Sequence, residues 1–301
     1  MCANMQRQSD SRPPRFGIGK IRDWFQRKLH ATDELALTAS LMLNCIKYDV
    51  SERGIARIAL EAPRANALNC ELLKELIAVL KDIQERSNVR AIVIESHEKA
   101  FCSGADINWL WALSKLTKRE RIKQLSLIDT CLHALHSLPI PSMAIVDGAV
   151  KGGGMGPMAA CDIVIVSEEN ASFQLPEVKL GLFPWIISPY VIARIGSAAF
   201  KRLAQTGEKL DAKTAQELGL VDVVVSSDKL PSTVDEYTAR FESNSPGAVR
   251  AIAGLTRRYD LPAINKRERR KNVRLLAEAI AGADAQNAMR KFLERQKSSE
   301  S

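Results

Sequence analysis

From Leu43 onward the chain repeats one arrangement: a short strand-like run, a second one, then an amphipathic helix. This constrains the fold more than any single residue does. Strands that alternate with helices come back in parallel and need those helices to cover them. Cys45 to Tyr48 and Ile55 to Leu60 read as strands, as do the short apolar runs Ala91 to Glu95, Met143 to Val146 and Ile163 to Val166. Asn69 can cap a helix over Cys70 to Arg86, whose Leu72, Leu73, Leu76, Ile77, Leu80 and Ile83 form one buried stripe. A second helix runs from Lys118 to Leu138 and closes at Pro139. The pattern predicts an α/β class. Beyond Lys229 it is helical to the end, with one long helix expected over Lys266 to Gln296. That helix carries Val273, Leu276, Ile280 and Met289 and needs a partner surface on the main domain or on another subunit.

Three stretches follow from this reading: a basic extension over 1–41, a core with the active site over 42–228 and a helical region over 229–301. Hydrophobic residues at 46% and charged residues at 26% exclude a disordered or collagen-like chain, and the apolar runs are too short to span a bilayer. Of the net charge of +8, residues 1–30 supply +5, so basicity says little about nucleic-acid binding by the core. Ile21, Trp24, Phe25 and Leu29 recur at helical spacing among Arg22, Arg27 and Lys28. They fit a membrane-surface or partner helix, a transit segment, or a dispensable tail before a start at Met42. The six cysteines contain no C-x-x-C pair and no secretory signal is visible, so free thiols and a cytoplasmic location are expected, or a mitochondrial one if 1–41 is a transit segment. His133 and His136 share a helix face without a third ligand, so no metal is expected.

Two small-residue turns each join a buried strand to a helix: Lys99-Ala-Phe-Cys-Ser-Gly-Ala-Asp-Ile107 and Gly148-Ala-Val-Lys-Gly-Gly-Gly-Met-Gly156. Three adjacent glycines carry a high entropic cost, which a ligand approaching the main chain would explain, although a tight connection alone explains it as well. The spacing fits neither a P-loop nor a dinucleotide fingerprint, because Pro157 stands where the last glycine of the latter belongs. Two such turns could aim two amides at one oxygen and stabilise an enolate or a tetrahedral adduct.

In these residues the chain resembles the crotonase (enoyl-CoA hydratase/isomerase) superfamily. The two turns are similar to its oxyanion turns. Pro63-Arg-Ala-Asn-Ala-Leu68 resembles its early CoA-binding turn, Ala160-Cys-Asp-Ile-Val164 the strand after the glycine helix, Leu175-Pro-Glu-Val-Lys-Leu-Gly-Leu182 the segment of the second acid, and Phe292-Leu-Glu-Arg295 the terminal helix. The resemblance implies a spiral of ββα units with a helical C-terminal trimerisation region, a homotrimer or hexamer, and an acyl-CoA substrate. Coenzyme A is then part of the substrate, and no other cofactor is needed. It also implies oxyanion-hole amides at Ser103 and Gly153. Arg64, Ala65, Gly104, Ala105, Asp106 and Ile107 would lie along the substrate, and Asp106 also suits the start of a helix.

Hydratases of this superfamily use two glutamates. The first position is Gly156 here; the second is Glu177. A carboxylate in an apolar cleft suits proton transfer near neutral pH, so Glu177 is the expected acid and base. Glu177 to Tyr190 resembles the methylglutaconyl-CoA hydratase-like subgroup, which implies hydration of a branched 2-enoyl-CoA or its reverse. A Δ3,Δ2-enoyl-CoA isomerase, a thioester hydrolase or polyketide β-branching dehydratase, and a non-catalytic RNA- or membrane-binding protein are the alternatives. Related hydrolases place an aspartate where this chain has Trp185. Trp109, Trp111 and Trp185 are expected in the pocket walls.

Overall fold

The computed structural model describes residues 43–96, 99–259 and 265–300. The extension over 1–41, with its Ile21, Trp24, Phe25 and Leu29 pattern, lies outside the described residues.

The elements follow the chain as β1 (Ile46–Val50), β2 (Ile55–Leu60), α1 (Cys70–Glu85), β3 (Ala91–Ser96), β4 (Ala100–Cys102), α2 (Ile107–Ser114), α3 (Lys118–Ser137), β5 (Ser142–Val146) and β6 (Ala149–Lys151). After a one-turn 3₁₀ segment at Gly152–Gly154 come α4 (Met155–Ala159), β7 (Ile163–Ser167) and β8 (Ser172–Gln174). A second 3₁₀ turn, Glu177–Leu180, leads to α5 (Ser188–Thr206), β9 (Lys209–Asp211), α6 (Ala212–Glu217) and β10 (Val223–Val225). The chain closes with α7 (Leu230–Ser243), α8 (Pro246–Tyr259), α9 (Lys266–Ala281) and α10 (Ala283–Glu300).

The strands form two sheets. The larger has the order β1-β2-β3-β5-β7-β10, the smaller β4-β6-β8-β9. β1 and β2 both join the large sheet, and the pairs β3–β4, β5–β6 and β7–β8 then each send their first strand to the large sheet and their second to the small one, which makes the chain a spiral of ββα units. β4, β6 and β8 are parallel, with Ala100 opposite Ala149, Val150 opposite Phe173 and Lys151 opposite Gln174. Their C-terminal ends therefore lie along one edge, and the turns that leave them lie side by side.

The runs in β3, β5 and β7 are almost wholly apolar because both faces of the large sheet are covered. One face carries the main core. On the other, Leu230 and Val234 of α7 close over Val93, Met143, Ile145 and Ile165. Asn69 caps α1 as expected, its side chain accepting from Leu72 N at 2.9 Å.

The single C-terminal helix expected over Lys266 to Gln296 is instead two. Gly282 takes extended backbone (φ −68°, ψ 151°) and its N–H closes on Ala279 O. The break redirects the chain, so that Ala285 and Met289 join Val273, Ala277 and Ile280 in the main core. Continuous helical periodicity cannot reveal such a turn, because a glycine within a helical pattern costs only about 1 kcal/mol. His133 contacts Ser137 Oγ at 3.2 Å, and the His136 ring meets Tyr190 edge-on at 5.5 Å.

Candidate active site

Three turns leave the edge of the small sheet: Ser103-Gly104-Ala105 after β4, Gly152–Gly154 after β6 and Leu175 to Leu180 after β8. Small residues let them touch. Gly104 has φ 98°, and a Cβ there would lie 2.9 Å from Lys151 O and 3.6 Å from Gly153 N. Gly152 has φ 47°, and a Cβ there would lie 2.9 Å from Glu177 Oε1. Both positions need glycine for conformation and for space. A Cβ on Gly153 would lie 3.4 Å from Ala105 N, so the amides of the first two turns are neighbours beside the Glu177 carboxyl.

The amide assignment implied by the sequence needs one correction. Ser103 N donates to Ala65 O at 3.0 Å, and Ser103 Oγ donates to Arg64 O at 2.8 Å. Its N–H is thus already used in holding the turn. The bridge between Leu68 and Ala105 uses Leu68 N to Gly104 O (2.7 Å) and Asp106 N to Leu68 O (2.9 Å). A parallel bridge of this form leaves the Ala105 N–H outside the ladder. The amide available beside Gly153 is therefore that of Ala105. The carbonyl of Ala65 is occupied by Ser103, and Ala65 does not line the cleft.

The turn that anchors Ser103 is itself held in an unusual conformation. Arg64, Ala65 and Asn66 all have left-handed φ, at 58°, 56° and 57°. Such residues are strained unless their surroundings hold them. Asn66, fully buried, does so with its side chain: Oδ1 accepts from Ala62 N at 2.7 Å, and Nδ2 donates to Ser96 Oγ at 2.7 Å. Its carbonyl accepts from Cys102 Sγ at 3.0 Å.

Glu177 starts its 3₁₀ turn, and Leu182 N closes on its carbonyl at 3.0 Å. Its Oε2 is buried and has no hydrogen-bond partner among the described residues. Burial away from water pushes its pKa up to about 7, because desolvation disfavours the charged form. Gly156 sits against packed apolar side chains. A Cβ there would lie 2.6 Å from Ile187 Cγ2 and 3.0 Å from Leu132 Cδ1. The position that lacks a first acid is therefore also walled off by hydrocarbon.

A cleft of about 1030 Å³ leads to these turns. Arg64, Lys151, Lys179, Lys291 and Arg295 line it against Asp106 and Asp284, so its field is positive. Asp106 caps α2 by accepting from Asn108 N at 2.8 Å and meets Arg64 Nη1 at 2.5 Å. Ser103, Ala105, Ile107, Pro176 and Leu180 belong both to this cleft and to an inner cavity of about 100 Å³. The site thus has an outer cationic cleft and an inner chamber, joined at the amides and Glu177.

The enoyl-CoA hydratase/isomerase family profile matches residues 50–299. This chain belongs to the enoyl-CoA hydratase/isomerase family. Its similarity to a short-chain-enoyl-CoA hydratase of Clostridium acetobutylicum is 34% identity over 202 residues, covering 66% of this chain and 76% of that one. The enoyl-CoA isomerase/hydratase fer4 of Mycosarcoma maydis is 30% identical over 208 residues, covering 66% and 75%. Among solved structures, an enoyl-CoA hydratase from Mycobacterium avium superposes with a TM-score of 0.75 at 28% identity, covering 84% of this chain and 98% of that one.

In this enoyl-CoA hydratase/isomerase family member, the structure brings the expected site residues Arg64, Ser103, Gly104, Ala105, Asp106, Ile107, Gly153, Glu177 and Trp185 onto two connected cavities. Trp109 and Trp111 do not line either one; Lys115 Nζ sits 4.0 Å over the Trp111 ring, and Trp109 packs on the core. The sequence reading missed the cationic rim of Lys151, Lys179 and Lys291. Isolated lysines carry no motif, and only the break at Gly282 brings Lys291 to Lys179. It also missed the chamber walls Leu110, Ile128 and Leu276, which read as ordinary helix stripes. In the basic run Lys266 to Lys271, Arg269 is turned inward, clasping both oxygens of Asp129 at 2.8 and 2.9 Å.

Proposed function

We propose that this protein adds water to, or removes it from, a 2-enoyl-CoA thioester, branched as the resemblance implies, with Glu177 as the one acid and base. The observation that carries this reading is the buried, unpartnered Oε2 of Glu177 beside the adjacent amides of Ala105 and Gly153. The cationic rim supports a phosphate-bearing carrier in the outer cleft.

In the hydration direction the thioester oxygen accepts from the Ala105 and Gly153 N–H groups. The Glu177 carboxylate takes a proton from water as the water oxygen bonds to C3. The C2=C3 electrons shift toward the thioester, and its oxygen carries the enolate charge between the two amides. Glu177, now protonated, returns that proton to C2, so one water is added in total. A pKa near 7 lets one carboxyl serve both transfers. Apolar packing around Gly156 leaves no place for a second acid, and the same feature favours a second reading, a Δ3,Δ2 double-bond shift in which Glu177 moves a proton from C2 to C4. Exposed Ile252 and Leu255 on α8 support assembly of copies of this chain.

A panel of 2-enoyl- and 3-enoyl-CoA esters followed by mass spectrometry tests the reading. Gain of one water on 2-enoyl esters, falling by about 10²–10⁴ in Glu177→Gln, is expected. Turnover of the variant near the parent rate would rule out the role of Glu177. Isomerisation of 3-enoyl esters without any water gain would replace hydration by the second reading.

A further inference from the structure

The inner chamber has a chemical character that the methylglutaconyl resemblance does not anticipate. We propose that it selects a short, uncharged acyl chain and rejects one that ends in a carboxylate. This deepens the hydratase reading and rests on its placement of the thioester at Ala105 and Gly153.

With the thioester oxygen at those amides and the carrier in the cationic cleft, the acyl tail points past Glu177 into the chamber. Its far walls are Leu110, Ile128, Leu182, Trp185, Ile187 and Leu276. Among the described residues that line it there is no Lys, Arg or His, and Glu177 is the one ionisable side chain. Every cation of the site lines the outer cleft instead, on the carrier side of the amides. A carboxylate at the end of the acyl chain would lose its water, find no cation, and face a group that carries the same charge whenever it acts as base. Burying an unpaired charge in such surroundings is strongly unfavourable. A methyl group meets hydrocarbon on every side there and gains from burial.

Size points the same way. The chamber measures about 100 Å³, smaller than the roughly 150 Å³ cavity that accommodates benzene in an engineered protein core. A few carbon atoms beyond the double bond fill it, and Leu132 and Ile187 behind Gly156 block extension in that direction.

Non-reactive analogues separate this proposal from the catalytic reading. Binding of isovaleryl-CoA, which is branched and uncharged, is compared with that of glutaryl-CoA, which ends in a carboxylate, by calorimetry on the full chain at pH 8. Isovaleryl-CoA binding at least about 100-fold tighter is the expected result. In parallel, 3-methylcrotonyl-CoA is compared with 3-methylglutaconyl-CoA as substrate, and Leu276→Lys, which adds a cation to the chamber wall, is expected to narrow the binding difference by about tenfold or more. Equal or tighter binding of glutaryl-CoA, or faster turnover of 3-methylglutaconyl-CoA, overturns the proposal. So does failure of both analogues to bind. If isovaleryl-CoA binds selectively while neither enoyl ester gains water, the selectivity stands and the hydratase reading falls.

Discussion

Glu177→Gln isolates the energetic cost of holding a base out of water. In the unfolded chain the Glu177 carboxyl has its ordinary value of 4.5; in the folded protein it is pushed up to about 7 by burial. Its folded pKa is the higher one, so the folded state holds the proton more tightly than the unfolded state does. The stabilisation from that protonated carboxyl is fully present below pH 4.5 and is lost as pH rises toward 7. At 1.36 kcal/mol per pH unit the loss amounts to about 3 kcal/mol. Glutamine cannot ionise and escapes this loss. The assay is denaturant unfolding of both proteins from pH 4.5 to 8.5, with the stability of the parent subtracted from that of the variant at each pH. Subtraction cancels the titration of Asp49 and Glu95, which are also pushed up by burial. It also cancels any constant cost of the Gln amide. The variant should gain on the parent by about 3 kcal/mol across the window and stay level above it. A flat difference would mean that Glu177 is solvated in the folded protein. A difference that falls with pH would mean that a cation pairs with it. Either result refutes the argument that a desolvated carboxyl is poised there for proton transfer.

Gly156→Ala should destabilise by about 1–3 kcal/mol in the same unfolding assay, because its Cβ would press on Ile187 and Leu132; an unchanged midpoint would show that the pocket behind it can relax. Asn66→Ala should cost about 2–4 kcal/mol, because it removes the side-chain bonds to Ala62, Ser96 and Ala100 and a side chain that tolerates left-handed backbone better than alanine does. It should also lower turnover by misplacing the Ser103 turn, seen as loss of kcat in a variant that is still folded. Lys179→Ala and Lys291→Ala should each raise KM for an acyl-CoA roughly two- to fivefold at low salt while leaving kcat unchanged, since exposed charges contribute about 0.5–1 kcal/mol. The effect should shrink as salt is added, and a salt-independent change would point to lost packing instead.

The local periodicities of this chain were enough to set its class and most of its elements. Alternating or wholly apolar strands, the Asn69 cap and the stripe of α1 depend on neighbours in sequence, so they can be read without the fold. The ordered small-residue turns and Glu177 were legible for a related reason: a main chain that must be approached closely tolerates few residue types. Tertiary structure decided which amide each turn has to spare. Ser103 and Ala105 are two residues apart on the same turn, and only the long-range bond from Ser103 N to Ala65 O shows which of them is already engaged. The same holds for the cationic rim and the apolar chamber. Lys179 and Lys291 line one cleft, and Leu276 and Trp185 one chamber, from positions more than ninety residues apart in the chain. Sequence patterns record what an element buries, whereas the chemistry of a cavity depends on which elements the core brings to face one another.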